Sequence, residues 1–328
     1  MMQEEFDFEL DRVASTIRDR GCRKVLLQFP EGLKRRAPGV ASVLSEKTGA
    51  TIIISGEPCF GACDIPDTDA DLTVHFGHLP IPSVKTRNSV LFIQARSDAD
   101  PYPALKNALP RLGNAVGLLT TAQHLHHLNG MAEFLRSKGL RVQVGQGDSR
   151  LYMGGQVLGC NASSARAVAD DVDSFLFVGT GDFHAIAIAL TTSKQVLIAD
   201  PATSAVKDAA ELRDGMLRQR HAAIEKARQA RSIGIILSTK LGQRREKAAI
   251  YSNRMLADAG YETALIEFEL VTPQKLESFG LDAWVSTACP RLAIDDFAAF
   301  PKPVLTVPEA EILTGKRAWN DYVFDEIP

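Results

Sequence analysis

Cys59, Cys160 and Cys289 stand in three widely separated segments, each in a turn marked by Gly or Pro. The turns read Ser-Gly-Glu-Pro-Cys-Phe-Gly-Ala-Cys-Asp, Val-Leu-Gly-Cys-Asn and Ser-Thr-Ala-Cys-Pro-Arg. One thiolate from each segment would hold an iron–sulfur cluster with one iron left open, because such clusters usually take four Cys ligands. The spacings, 101 and 129 residues, contain no local zinc pattern of paired C-x2-C type. Three ligands this far apart meet only if the fold gathers them. Cys59 and Cys63 form a C-x3-C pair, which by itself is compatible with zinc, redox chemistry or neither. Cys63 is expected to pack the turn, since a fourth thiolate would close the open iron. Cys22 is expected to be an ordinary packed thiol. Five cysteines in 328 residues are too few and too odd for a disulfide framework.

Stepping along the chain, one pattern recurs three times: apolar strand, polar turn, helix, apolar strand. The first copy has strands at Lys24–Phe29 and Thr51–Ser55 around a helix at Arg36–Thr48. The second has Ala115–Thr120 and Arg141–Val144 around Ala122–Lys138, and the third has Ser232–Ser238 and Glu262–Ile266 around Arg245–Ala259. Gly49, Gly139 and Gly260 stand just past each helix, where φ > 0 is wanted. Each copy continues with a strand opened by Asp (Asp71–Phe76, Asp173–Val178, Asp282–Ser286) and a last strand (Val90–Gln94, Gln195–Ala199, Val304–Val307). Strands alternating with helices imply βαβ units and parallel sheets. The expected fold is α/β, with three related units of residues 1–105, 106–210 and 211–328 around a pseudo-threefold axis, each carrying one cluster cysteine. The charged stretch Val206–Arg231 is expected to be a solvated connecting helix. Sites in such sheets form beyond the carboxyl ends of the strands, where all three cysteines fall.

Composition excludes several classes. Hydrophobic residues make up 45% and charged residues 23%, as in ordinary globular domains. A formal net charge of −3 offers no global basic field for nucleic acid. No apolar run is long enough to span a bilayer, and the acidic N-terminus is unlike a signal peptide. A cytoplasmic protein is expected.

Polar residues at strand ends are the next candidates. Gln28 and Glu31 follow the first strand of the first unit, and Lys240, Gln243 and Arg244 follow that of the third. Groups placed there suit the amino-acid and ribose parts of a nucleotide-like cofactor, although loops also carry such residues for solubility. Arg291, beside Cys289, is placed to pair with a carboxylate, or with Asp295 or Asp296. His184 follows a Gly-rich turn and is a possible site-lining residue. His124, His126 and His127 are expected to be plain helix surface.

The motifs Gln28-Phe-Pro-Glu-Gly-Leu33, Ser55-Gly-Glu-Pro-Cys-Phe-Gly-Ala-Cys-Asp64, Leu158-Gly-Cys-Asn161, Gly179-Thr-Gly-Asp-Phe-His184, Ser238-Thr-Lys-Leu-Gly-Gln-Arg-Arg245 and Thr287-Ala-Cys-Pro-Arg-Leu-Ala-Ile-Asp-Asp296 span nearly the whole chain. Together they resemble the archaeal diphthamide synthase family of non-classical radical S-adenosylmethionine enzymes. That resemblance implies a 4Fe–4S cluster on Cys59, Cys160 and Cys289, with S-adenosylmethionine at the open iron. It further implies reductive Cγ–S cleavage and transfer of a 3-amino-3-carboxypropyl group to C2 of a histidine imidazole in translation elongation factor 2. A homodimer and an external electron donor are implied as well. Two other readings stay open on the residues: a quinolinate-synthase-like 4Fe–4S dehydratase, and a non-catalytic, cluster-bearing electron-transfer subunit. The Gly-Glu-Pro-Cys and Cys-Pro-Arg motifs favour the transferase.

Overall fold

The computed structural model describes residues 6–328; residues 1–5, part of the acidic N-terminal run, lie outside the description. The first third of the chain supplies β1 (Phe6–Asp7), β2 (Lys24–Gln28), β3 (Thr51–Ile54), β4 (Leu72–Phe76), β5 (Val90–Ile93) and β6 (Arg96–Ser97). The middle supplies β7 (Ala115–Thr120), β8 (Arg141–Gln143), β9 (Ser174–Val178), β10 (Gln195–Ala199) and β11 (Val206–Asp208). The last third supplies β12 (Ser232–Ser238), β13 (Glu262–Phe268), β14 (Ala283–Ser286) and β15 (Val304–Leu305).

Besides a small antiparallel ribbon in which β1 pairs with β6, three larger sheets result, ordered β3-β2-β4-β5, β8-β7-β9-β10-β11 and β13-β12-β14-β15. Every pairing in them is parallel except β10 with β11. In each sheet the second strand pairs outside the first, and the order reverses between the first and third strands. A crevice opens at that reversal, beyond the strands' carboxyl ends. The inner strands β4, β7 and β9 are buried at every position, with both faces covered, while the edge strands β3 and β13 keep exposed positions.

The shared Asp has a mechanical reason. Asp71 Oδ2 accepts the Arg23 and Lys24 N–H groups at 2.7 and 2.9 Å. Asp173 Oδ2 accepts Ala115 N–H at 2.8 Å, and Asp282 Oδ2 accepts the Arg231 and Ser232 N–H groups at 3.0 and 3.1 Å. Each carboxylate thus clips the start of its unit's central strand. Those backbone donors hold the Asp71 and Asp282 carboxyls below the ordinary carboxylate range. Gly49, Gly139 and Gly260 take φ of +68°, +87° and +92°, as helix-ending residues should.

The second and third sheets share one apolar core, in which Phe175, Phe177, Ile236 and Trp284 are buried together. The first sheet keeps its own core around Phe29, Leu72 and Phe76. A small cluster of Ala62, Cys63 and Ile81, packed against Leu158, joins the first unit to the second.

Two expectations need correction. Val206–Arg231 is not a solvated connector: it opens with β11, and its helix Ala210–Ala227 buries Met216, Arg220 and Ile224. Arg220 is 1% exposed and pairs bidentately with Glu309, which is 0% exposed, through bonds of 2.8 and 2.6 Å. The same guanidinium donates to the carbonyls of Ala293 and Val304. The expected strand Val304–Val307 stops at Leu305, because Thr306 caps a helix over Val307–Leu313 in a capping box with Glu309.

Removing Glu309 would strand a buried guanidinium. Glu309→Ala should lower unfolding free energy by about 3–5 kcal/mol in urea titration. Asp282→Asn should lower the melting temperature at neutral pH. The native carboxyl is depressed, so its contribution is full above the ordinary carboxylate range and is lost as pH falls through the native value. The melting difference between Asp282→Asn and the parent should therefore shrink in acid.

Candidate functional site

The loop after β3 carries Cys59 and Cys63, and the two sulfurs go to different places. Cys63 is pressed against the third unit. Gly242 N–H donates to the Cys63 carbonyl at 3.2 Å, and Gln243 Nε2 donates to Cys63 Sγ at 3.4 Å. A Cβ on Gly242 would lie 2.4 Å from Cys63 Cα, so only glycine permits this approach. Burial pushes the Cys63 thiol up to about 11, and the next contributor is Cys160.

Cys160 sits in a turn closed by mutual backbone bonds between Leu158 and Asn161. Its carbonyl accepts Ile327 N–H at 2.9 Å, and Asn161 Nδ2 donates to the Ile327 carbonyl at 3.1 Å, so the C-terminal segment latches the turn. Gly159 is required here, since a Cβ would fall 1.8 Å from the Phe183 ring. Cys289 follows β14, and its thiol accepts the Arg291 N–H; burial raises it strongly, with Cys160 and then Cys63 adding to the rise. Cys63, Cys160 and Cys289, one from each sheet, therefore lie within electrostatic reach of one another.

Two arginines, Arg150 buried and Arg245 part-buried, back this trio. Arg150 is 2% exposed and donates to the Gly242 carbonyl at 2.8 Å, while its charge acts on Cys63. Its Nε has no hydrogen-bond partner among the described residues. Arg245 is held bidentately by Asp325 at 2.7 Å and donates to the Thr287 carbonyl at 2.8 Å; Cys160 and Cys289 both act on it. A cluster on three thiolates is anionic, and these two cations would offset it in a medium of low dielectric constant. The donor set, its burial and its counter-charge fit such a group.

Cys59 lies instead with His75 and His78, the ligand atoms of all three being within 4.8 Å of one another. Its thiol accepts the Gly61 N–H, and burial pushes it up to about 12; the thiols of Cys160 and Cys289 do not figure among its main perturbers, whereas Asp64 and Cys63 do. Burial draws His78 down to about 4 and His75 well below its ordinary value, so both rings are neutral at pH 7.

Two adjoining clefts reach this region. One, of about 600 Å³, is lined by Gln28, Asp64, Thr239 and Lys240 among others. The other, of about 200 Å³, is mainly apolar and reaches Cys289 past Phe60, Lys240, Gln243 and Arg291. Lys240 belongs to both; it pairs with Asp64 at 2.6 Å and lies 5.1 Å over the Phe60 ring. Gln28 is buried and bonded to His75 and to the Asp64 carbonyl. Arg291 pairs with Asp295 and stacks on Phe183 at 4.9 Å. Half-buried His184 is drawn down to about 4 by burial, then by Arg291 and His78.

Glu31 and Arg244 line neither cleft: Glu31 pairs with Lys34 and Arg244 with Glu267, both toward solvent. His124 departs from the expected helix surface, being 1% exposed on a short 3-10 turn. Arg150, His75 and His78 escaped the reading of the sequence. The His-x-x-His spacing at the end of a strand was the available signal for the last two; for Arg150 there was none.

Gly242→Ala should force the Cys63 turn away from the third unit. In metal-free protein, maleimide labelling of Cys63, followed by peptide mass spectrometry, should accelerate at least tenfold, while circular dichroism stays unchanged.

Residues 29–323 match the family of diphthamide synthesis proteins. The chain is 40% identical, over 321 residues, to a 2-(3-amino-3-carboxypropyl)histidine synthase of Pyrococcus horikoshii, covering 94% of this chain and 90% of that protein. It is 30% identical to subunit 1 of the synthase of the same name in Nematostella vectensis, covering 97% and 70%. The fold also matches a crystal structure of Dph2 from Pyrococcus horikoshii with a 4Fe-4S cluster, at a TM-score of 0.91 and 36% identity over 99% of this chain and 95% of that one. With a family match across most of its length, and relatives alike over most of this chain, the chain belongs to the diphthamide synthesis protein family.

Proposed function

We propose that the protein is a 2-(3-amino-3-carboxypropyl)histidine synthase. It carries a 4Fe–4S cluster and moves the 3-amino-3-carboxypropyl group of S-adenosylmethionine to C2 of a histidine imidazole in translation elongation factor 2. The observation that carries the reading is the meeting of three thiols, one from each sheet, backed by Arg150 and Arg245. The ligand set proposed is Cys63, Cys160 and Cys289. Cys59, expected from the sequence to supply the first thiolate, is replaced by Cys63 because the packing against Gly242 and Gln243 turns Cys63 toward the other two.

When bound, the cluster supplies the electron that breaks the Cγ–S bond and an open iron that holds the substrate. The chain's own residues do the rest. Lys240, Gln243 and Arg291 line the cleft beside Cys289 and are placed to orient the polar end of S-adenosylmethionine. Gln28 lines the adjoining cleft and is bonded to His75 and to the Asp64 carbonyl. Leu270, Val271, Leu292 and Phe300 make the cleft apolar, which keeps water and stray hydrogen donors from a reactive carbon fragment. Neutral His184 lies beside Arg291 at the edge of this chamber. A homodimer, an external electron donor and a cytoplasmic setting complete the proposal, as does the division at residues 105 and 210. No helix among the described residues is long and apolar enough to cross a membrane.

The test is anaerobic incubation with S-adenosylmethionine, dithionite and elongation factor 2. The factor should gain the mass of one 3-amino-3-carboxypropyl group. Cys63→Ala, Cys160→Ala and Cys289→Ala should each lose cluster iron and at least a hundredfold in activity. Loss of iron from Cys59→Ala but not from Cys63→Ala would overturn the ligand set, and an unmodified factor would overturn the transferase.

A further inference from the structure

We propose that Cys59, His75 and His78 form a mononuclear site for a borderline divalent cation, Zn²⁺ above all, beside the cluster and separate from it. The inference rests on the reading that Cys63, not Cys59, supplies the first unit's cluster thiolate. Among the described residues, this is the one group of three His, Cys, Asp or Glu side chains with ligand atoms this close together. One thiol and two imidazoles are a donor set that suits zinc.

The fold builds the site from neighbouring strands. β2 and β4 pair in a register that puts Gln28 opposite His75. Gln28 Nε2 donates to the Asp64 carbonyl at 2.7 Å, which turns Gln28 Oε1 toward His75 Nδ1, also at 2.7 Å. An oxygen acceptor there requires the proton on Nδ1 and leaves Nε2 with a free lone pair. Ligating histidines are oriented in just this manner, with one ring nitrogen donating to a carbonyl and the other on the metal. That Nε2 is within hydrogen-bond distance of His78 Nδ1, at 2.9 Å, a contact that the cation would replace. Gly77, at φ +82°, bends the chain between the two histidines, and a Cβ there would meet Pro30 Cγ at 2.8 Å.

A tetrahedral zinc wants its ligand atoms roughly 3.3–3.6 Å apart. Side-chain rotations that move these atoms by about 1 Å would bring separations of up to 4.8 Å close to that range. Pro58, next to Cys59, and Gln28, bonded to His75, both line the larger cleft. The cation's effect would be to tie the Cys63-bearing loop to β4. Three protein donors leave a fourth position for water or a substrate atom.

The experiment uses the full-length protein, reconstituted anaerobically with iron and sulfide, treated with Zn²⁺, desalted and analysed for both metals per chain. About one zinc should be retained in addition to the cluster iron. Cys59→Ser and His78→Gln should each cut retained zinc at least tenfold and leave iron unchanged, whereas Cys63→Ala should lose iron and keep zinc. Gln28→Leu should weaken zinc binding roughly 10- to 100-fold by releasing the His75 ring. Co²⁺ in place of zinc should give the intense visible bands of a tetrahedral thiolate complex, absent from Cys59→Ser. Zinc that is not retained, or that is indifferent to both Cys59→Ser and His78→Gln, overturns the proposal and leaves the two rings as a plain hydrogen-bonded pair. Iron reports on the cluster and zinc on this site, so the two readings fail separately.

Discussion

The constraint on which the site depends is the contact between Gly242 and the Cys63 turn. Everything at the site follows from letting two backbones from opposite ends of the chain approach this closely. The approach costs the conformational freedom of a glycine and excludes any side chain at that point. In return, the carbonyl of Cys63, its sulfur and its neighbour Asp64 are all tied to the third unit, through Gly242, Gln243 and Lys240. The first sheet otherwise keeps its own core, so these few polar bonds, with the small apolar cluster of Ala62, Cys63 and Ile81 against Leu158, set where its cysteine loop lies relative to the other two sheets.

Much of the fold was legible because local chemistry and global arrangement agree. β7, β10 and β12 occupy the segments that their apolar runs mark, and the three glycines end their helices with positive φ. The misjudged segments share a cause: a tertiary partner far away in sequence. Val206–Arg231 reads as solvated because its charges are visible and Glu309 is not adjacent to them. Val307 reads as strand because only the Thr306–Glu309 box reveals a helix start. The recurring Asp was noticed as a repeat, yet its work, clipping the neighbouring strand, is a pairing between strands that periodicity does not reveal.

The site was legible in kind more than in detail. Residue types announced thiolate chemistry, and turns at strand ends announced where it would sit. Which member of a C-x3-C pair faces inward depends on loop geometry and on what presses against it. Four residues of loop are enough to send Cys59 toward His75 and Cys63 toward Cys160. Arg150 and Arg245 show the same limit, since a cation's role is recognisable only once its surroundings are known.

The latch on the Cys160 turn carries a consequence for biogenesis. Ile327 and Glu326 are made after every thiol in the chain, yet they bond to the Cys160 carbonyl, the Asn161 amide and the Ala162 N–H. A ribosome-bound chain exposing the first two sheets therefore has its middle cysteine loose. At elongation rates of roughly 5–20 residues per second, that interval lasts many seconds. Metal held across the Cys160 turn and its partners would therefore be fixed only once residues 326 and 327 have emerged and latched that turn.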